Sequence, residues 1–392
     1  MKKADTKIIL ERGVEEVIVR ESLEKKLESG KKLRVKHGID PTGPKIHLGR
    51  ASTLRKLKEF QDLGHTIVLI IGDHTAQIGD PSDKLVKRPF LTSKKVNENM
   101  KRYREQLGLV LDMKKVELHR NSEWFSKMKL REFDELADLF SIQQMITRRN
   151  FSERWKKEEE ISVREFHYAL YQGYDSVAVK ADVEIGGSDQ LFNLLAGRKI
   201  QEHYGQSPQD VLTTKMLLGT DGRKMSTSWG NVINIEDEPE EQFGKIMSMH
   251  DNLILEYFEI ATSIPEEKIK LYQKELEDGV NPKLMKERLG FEIVCQYHGE
   301  KSAEKARDYF EKLFSKKEIP DDIPELVLPK KKFALDDLVL VAEKMSKSEA
   351  RRLIKQRAIQ LDGVVKSDPT EILSPKKGSV LKIGKKRFFK IT

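Results

Sequence analysis

Along the first half of this chain, strand-like runs rich in β-branched residues alternate with helical patterns, and glycine-bearing loops join them. Leu33–Ile39 reads as a strand; a Pro/Gly loop follows, then a helix from about Ala51 to Leu63. Thr66–Ile71 is a second buried strand, followed by the loop Gly79-Asp80-Pro81-Ser82, helical periodicity over Val96–Leu107 and a short strand at Lys115–His119. Val183–Ile185 opens another strand–loop–helix unit, with Leu191, Leu194 and Leu195 expected on one helical face. Repeated βα units imply a parallel sheet covered by helices on both sides, and such sheets bind ligands at the carboxyl ends of their strands. The mostly helical stretch from about Trp124 to Tyr174 interrupts the alternation and reads as an insertion between two halves of one nucleotide-binding domain.

Beyond Asn231 the strand signals fade into five helices, at Pro239–Phe243, Leu253–Ile260, Glu266–Glu277, Leu284–His298 and Ala303–Phe314. A proline-punctuated stretch follows, and then a lysine-rich module with its own helix and short strands. The expected division is therefore an α/β catalytic domain over 1–235, with a helical insertion at about 124–174. An α-helical domain over 236–318, a linker over 319–332 and a small α+β module over 333–392 complete it. The formal charge of +8 comes from that module alone: Lys331 to Thr392 holds 16 basic and 7 acidic side chains, a local +9, which leaves −1 for the first 330 residues. A compact basic module on a near-neutral body suits phosphate-backbone binding, where each neutralised phosphate releases counterions; a solubilising tail is the plainer alternative.

The single cysteine, Cys295, excludes an intramolecular disulfide and a cysteine-rich metal site, and no metal-ligating set is expected. The longest strongly apolar run, Ile67–Ile71, is too short to cross a bilayer, and Met1 to Gly13 lacks the apolar core of a signal peptide. A soluble, cytoplasmic protein with no membrane partner is expected.

Three loops carry the candidate chemistry. The first runs from Gly38 to Arg50 and includes Asp40, Thr42, His47 and Gly49. A helix start offers unpaired N–H groups to phosphate, His47 and Thr42 can add hydrogen bonds, and Gly49 leaves room for a flat ring against the helix. The second is Gly186-Gly187-Ser188-Asp189-Gln190, whose glycines permit close backbone approach and whose Asp189 can accept from ribose hydroxyls. The third is Gly219-Thr220-Asp221-Gly222-Arg223-Lys224-Met225-Ser226-Thr227-Ser228, a cationic, hydroxyl-rich loop suited to a polyphosphate but without Walker A spacing. Lys84 and Arg88 add two cations after Asp80. Taken singly, each element also reads as an ordinary helix start, tight turn or solvated surface pair.

Taken in order, His47-Leu48-Gly49-Arg50, the Gly-Gly-Ser-Asp-Gln loop and Lys224-Met225-Ser226-Thr227-Ser228 resemble the class I aminoacyl-tRNA synthetases, specifically the bacterial tyrosyl branch, over about Leu33 to Ile391. The resemblance implies a Rossmann-type domain that joins tyrosine to tRNA(Tyr) in two steps, uses ATP with Mg²⁺, and works as a homodimer formed through the helical insertion. It implies catalytic roles for His47, Thr42, Lys84, Arg88, Lys224 and Thr227. ATP contacts would come from Asp40, Gly49, Arg50, Gly187, Asp189, Ser226 and Ser228. Tyr168, Gln172 and Asp175, at i, i+4 and i+7 on one helix face, would join Asp80 and Gln190 in holding tyrosine. Of these, Tyr168, Gln172 and Asp80 would hold the ammonium, and Asp175 would accept from the phenol.

Three positions depart from the family pattern. Lys36 stands where many tyrosyl enzymes have a second tyrosine, Arg50 replaces the second histidine of the first motif, and Thr227 replaces the second lysine of the third. A closer match to that third motif, Lys344-Met345-Ser346-Lys347-Ser348, opens a helix with a Ser346/Glu349 capping pair and is read as structural. The carboxyl-terminal module resembles the small RNA-binding domain of ribosomal protein S-four, with Arg351, Arg352, Lys355 and Arg357 as its tRNA contacts. Two alternatives stay open: a tryptophanyl synthetase, and a catalytically idle RNA-binding paralogue.

Overall fold

Six strands, Val14–Ile18 (β1), Arg34–Ile39 (β2), Thr66–Ile71 (β3), Val116–Arg120 (β4), Val183–Gly187 (β5) and Asp210–Thr214 (β6), form one sheet in the order β1-β6-β5-β2-β3-β4. Neighbours are parallel except β1, which runs antiparallel to β6 at the edge. The computed structural model describes residues 3–82, 91–315, 323–329, 332–384 and 387–392, which form two compact units divided after Glu304.

β3 is buried from Ile67 to Ile71, as expected of a parallel strand covered on both faces. Leu48–Asp62 (α1) follows the first loop and buries Leu48, Ala51, Leu54 and Leu57 against the sheet. In the insertion, a capping box of Ser162 and Glu165 starts the long helix Val163–Val179 (α2). Leu191–His203 (α3) packs closely on α2 where two glycines meet: a Cβ on Gly173 would lie 2.6 Å from Ile200 Cδ1 and 3.1 Å from the Gly197 nitrogen. That close approach fixes the α2 face carrying Tyr168, Gln172 and Asp175.

Several details differ from expectation. The periodicity over 96–107 is two helices, Ser93–Met100 and Tyr103–Gly108, because the backbone at Arg102 leaves helical geometry. Leu195 does not share a buried face with Leu194; it is 37% exposed, while Gly197, Ile200 and Gln201 complete the buried stripe. The helices between Pro239 and His298 share one core with the sheet, where Tyr257, Phe258, Leu289 and Ile293 join Leu33, Leu54 and Phe60. Up to Glu304, the helical segment and the sheet therefore make one unit.

In the second unit, Glu325–Leu326 (β7), Ile359–Leu361 (β9), Val364–Lys366 (β10), Val380–Ile383 (β12) and Arg387–Ile391 (β13) form a sheet, while Phe333–Ala334 (β8) pairs with Ile372–Leu373 (β11). β7 lies in the stretch expected to be a linker: Leu326 is buried, and the Pro324 carbonyl accepts from the Lys390 N–H at 2.9 Å. Lys347–Lys355 (α4) buries Ala350 and Ile354, and Ser346 Oγ accepts from the Glu349 N–H at 3.2 Å.

Candidate active site

The carboxyl ends of β2, β3 and β5 open onto a cavity of about 280 Å³. The first loop contributes Asp40, Thr42 and His47 to its wall and the first turn of α1 adds Gly49 and Arg50; Gly187, Asp189 and Gln190 come from the second loop and Lys224 from the third. Asp80, Tyr168, Gln172 and Asp175 line the same cavity. Ser226 and Thr227 do not, and Thr227 is exposed. Lys84 and Arg88 lie outside the described residues, as does the side chain of Ser228.

At the α1 end, His47 occupies the N-cap position but its side chain caps nothing. Its Nδ1 is buried without a hydrogen-bond partner among the described residues. Burial, with the nearby Arg50 charge, pushes its pKa down to about 3, so the ring is neutral at physiological pH and acts as a hydrogen-bonding group rather than a cation. Arg50 Nη2 donates to Thr42 Oγ1 at 2.8 Å and Nη1 to Tyr103 Oη at 3.2 Å, which places a permanent charge over the first loop. Gly49, expected to leave a bare surface, is covered by Met225, whose Sδ lies 3.3 Å from the Gly49 nitrogen. Lys224 Nζ meets Asp189 Oδ2 at 3.1 Å and so ties the third loop to the second.

At the sheet end, Asp40 accepts from Thr75 Oγ1 at 2.7 Å and from Tyr168 Oη at 3.0 Å. Burial raises its pKa to about 6. Gln190 Nε2 donates to Asp80 Oδ2 at 2.7 Å. Asp175 is 4% exposed; it accepts from Trp124 Nε1 at 2.9 Å and from Asn121 Nδ2 at 3.5 Å. Burial raises its pKa to about 7, against the opposing pull of Lys36 and Trp124.

Sequence reading missed Trp124, Asn121 and Gly72. Nothing in their spacing marks the first two, which reach Asp175 only because β4 ends beside α2. Gly72, directly after β3, is legible as a strand-end glycine: a Cβ there would come within 2.1 Å of Asp40 Oδ1 and 2.3 Å of Thr75 Oγ1. It also missed Glu184, which lines the cavity and pairs with Lys36.

Among the described residues, no group of three or more His, Cys, Asp or Glu side chains could hold a metal ion, and no helix is long and apolar enough to cross a membrane. In the second unit, Arg351, Arg352, Lys355 and Arg357 are all exposed. Arg351 is tied to Asp336 at 2.8 Å and Arg352 lies 3.7 Å from Glu349.

Comparison with known proteins adds the following. Residues 28–315 match the family model described as tRNA synthetases class I (W and Y). The chain is 47% identical over 386 residues to the tyrosine–tRNA ligase of Thermotoga maritima, covering 98% of this chain and 96% of that protein. It is 46% identical over 396 residues to the tyrosine–tRNA ligase of Dehalococcoides mccartyi strain 195, covering both in full (100% of each). Among solved structures, the tyrosyl-tRNA synthetase of Archaeoglobus fulgidus complexed with L-tyrosine superimposes with a TM-score of 0.64 at 23% identity, over 78% of this chain and 100% of that one, a likeness of fold.

Proposed function

The chain belongs to the class I tRNA synthetases of the tryptophan and tyrosine group, and from that premise we propose that it is a tyrosine–tRNA ligase whose reaction runs in the cavity at the carboxyl ends of β2, β3 and β5. In the first step the tyrosine carboxylate attacks the α-phosphorus of ATP, and pyrophosphate leaves as tyrosyl-adenylate forms. In the second, a ribose hydroxyl of the terminal adenosine of tRNA(Tyr) attacks the adenylate carbonyl, AMP leaves, and the amino acid is carried away as an ester.

The observation that carries this reading is the convergence of three separate loops and a buried carboxylate on one cavity. Activation needs no general base, because the nucleophile is already an anion. The residues act by placing it and by stabilising charge on the departing pyrophosphate. Neutral His47 donates a hydrogen bond to phosphate oxygens, Thr42 works from the same loop and Arg50 from the first turn of α1, and Lys224 brings a cation from the third loop. Lys84, Arg88, Ser226, Thr227 and Ser228 are assigned to the same grip from the family resemblance, which requires loop movement for Thr227. Asp189 and Gly187 serve the ribose, Asp40 and Gly49 the nucleotide, and Mg²⁺ enters with ATP as part of the substrate.

Asp80, Tyr168, Gln172 and Gln190 hold the amino acid. Asp175 accepts from the phenol, and a substrate without that hydroxyl leaves a buried carboxylate short of a partner. Curated relatives at 42–47% identity carry the tyrosine name, which disfavours tryptophan. The presence of His47 and Lys224 disfavours an idle paralogue.

The second unit's Arg351, Arg352, Lys355 and Arg357 are proposed to bind the tRNA backbone. A homodimer through the insertion is supported by Leu130, Ile142 and Val163, which stay 78%, 63% and 68% exposed there. Incubation with ATP, tRNA and radiolabelled amino acids tests the whole reaction: labelled tyrosine should become acid-precipitable with tRNA. Charging with tryptophan instead, or none at all, would overturn the reading.

A further inference from the structure

Lys36 on β2 and Glu184 on β5 are register partners on adjacent parallel strands, and they are 0% and 1% exposed. Lys36 Nζ donates to Glu184 Oε1 at 2.8 Å, to Ser176 Oγ at 2.7 Å and to the main-chain carbonyl oxygen of Gln172 at 2.8 Å, which uses all three of its protons. Glu184 also accepts from Ser176 Oγ at 3.1 Å, from Gln209 Nε2, and from the side-chain nitrogen of Gln172 at 3.2 Å. Buried ion pairs give little or no stability over well-packed apolar residues, so stability alone does not explain this one.

The contact with Gln172 supplies a reason. An ionised carboxylate only accepts hydrogen bonds, so the end of the Gln172 amide facing Glu184 must be its NH₂. Gln172 lines the cavity, and the end left for the cavity is its carbonyl oxygen. An acceptor there suits a substrate ammonium; the flipped amide would aim N–H groups at a cation.

We propose that Lys36, acting through Glu184, is a positioning residue for the amino-acid subsite: the ion pair locks the Gln172 side chain with its carbonyl oxygen toward the α-ammonium of the substrate. The inference rests on the tyrosine-ligase reading and deepens it, because it gives the residue standing in place of the second tyrosine a different task at the opposite end of the amino acid. The Lys36 charge also favours the ionised form of Asp175, so one cation supports both ends of the subsite.

Tyrosine-dependent pyrophosphate exchange by the full chain tests it, with KM for tyrosine, KM for ATP and kcat measured on folded protein. Lys36→Met removes the cation that fixes the Glu184 carboxylate beside Gln172, so the carboxylate loses the geometry that dictates which end of the Gln172 amide faces it. KM for tyrosine should rise about 10- to 100-fold, the loss of one charge-assisted hydrogen bond, with KM for ATP and kcat within about two-fold. The double variant Lys36→Met/Glu184→Gln carries neither charge of the pair; its amide nitrogen can donate to Ser176 Oγ, which no longer receives Lys36, leaving its oxygen to accept from Gln172, so it should recover tyrosine KM to within about three-fold of wild type. A merely structural tether from Lys36 to Ser176 and the Gln172 main chain would not be restored, since methionine donates nothing.

Unchanged tyrosine KM in folded Lys36→Met, parallel loss of tyrosine and ATP binding, or a double variant no better than the single would each overturn the proposal. Should Lys36→Met fail to fold, the double variant decides alone: near-wild-type tyrosine KM supports the proposal, and a 10-fold rise with intact ATP binding overturns it. Wild-type exchange that ignores tyrosine would instead sink the function, which keeps the two failures apart.

Discussion

Replacing Asp175 by asparagine should make the protein more stable at alkaline pH while damaging the site. Asp175 is buried, and its pKa rises from 3.8 to about 7 on folding. A carboxylate shifted upward is protonated in the folded state while the unfolded chain has already ionised, so stability falls as pH climbs from 3.8 to 7. At 1.36 kcal/mol per unit, the full cost is about 4 kcal/mol above pH 7, and less than half of that at pH 5. Asparagine does not titrate and avoids that cost. It keeps one acceptor oxygen where aspartate offers two, so it cannot serve both Trp124 and Asn121, a loss of about 1–3 kcal/mol. The variant should therefore exceed wild type by about 1–3 kcal/mol at pH 8, and the advantage should shrink by about 3 kcal/mol at pH 5. Urea unfolding followed by circular dichroism at both pH values reads the difference. The same variant should show a tyrosine KM raised about 10- to 100-fold. A variant-minus-wild-type difference that is constant with pH, or a variant less stable at pH 8 than at pH 5 relative to wild type, would refute the reasoning.

Other perturbations address the remaining parts of the site. His47→Ala should lower the activation rate about 100-fold with tyrosine KM within two-fold, by stopped-flow or exchange kinetics; weakened tyrosine binding with an intact rate would contradict its role. Thr227→Lys should raise activation about two- to five-fold by adding a cation to the third loop, and an unchanged rate would show the position to be unimportant. Arg352→Ala combined with Lys355→Ala should weaken tRNA binding and flatten the plot of log affinity against log salt by about 1.5, with pyrophosphate exchange unaltered; an unchanged slope would remove these two side chains from the RNA contacts.

The candidate site was legible where chemistry and local geometry coincide. Gly186-Gly187 before Asp189, and His47 at a helix start, announce themselves as backbone features tied to polar groups. The i, i+4, i+7 spacing of Tyr168, Gln172 and Asp175 places them on one face whatever the tertiary structure. What lay beyond sequence reading is long-range: Trp124 and Asn121 reach Asp175 because of where β4 ends, and the Lys36–Glu184 pair exists because β2 and β5 are neighbours in that register. A lysine and a glutamate in two central strands were the available signal, since a buried charge needs an opposite one nearby. In the fold, β6 and the edge strand β1 passed without a reading. The Val96–Leu107 break at Arg102 was also invisible, because no proline or glycine marks it.

Amino-acid-dependent exchange of labelled pyrophosphate into ATP bears most directly on a cavity that binds a triphosphate at one end and identifies a phenol at the other. Tyrosine should drive exchange, tryptophan should not, and phenylalanine should need at least 10- to 100-fold higher concentration for want of a hydroxyl to offer Asp175. Exchange driven equally well by phenylalanine, or by tryptophan in place of tyrosine, would contradict it.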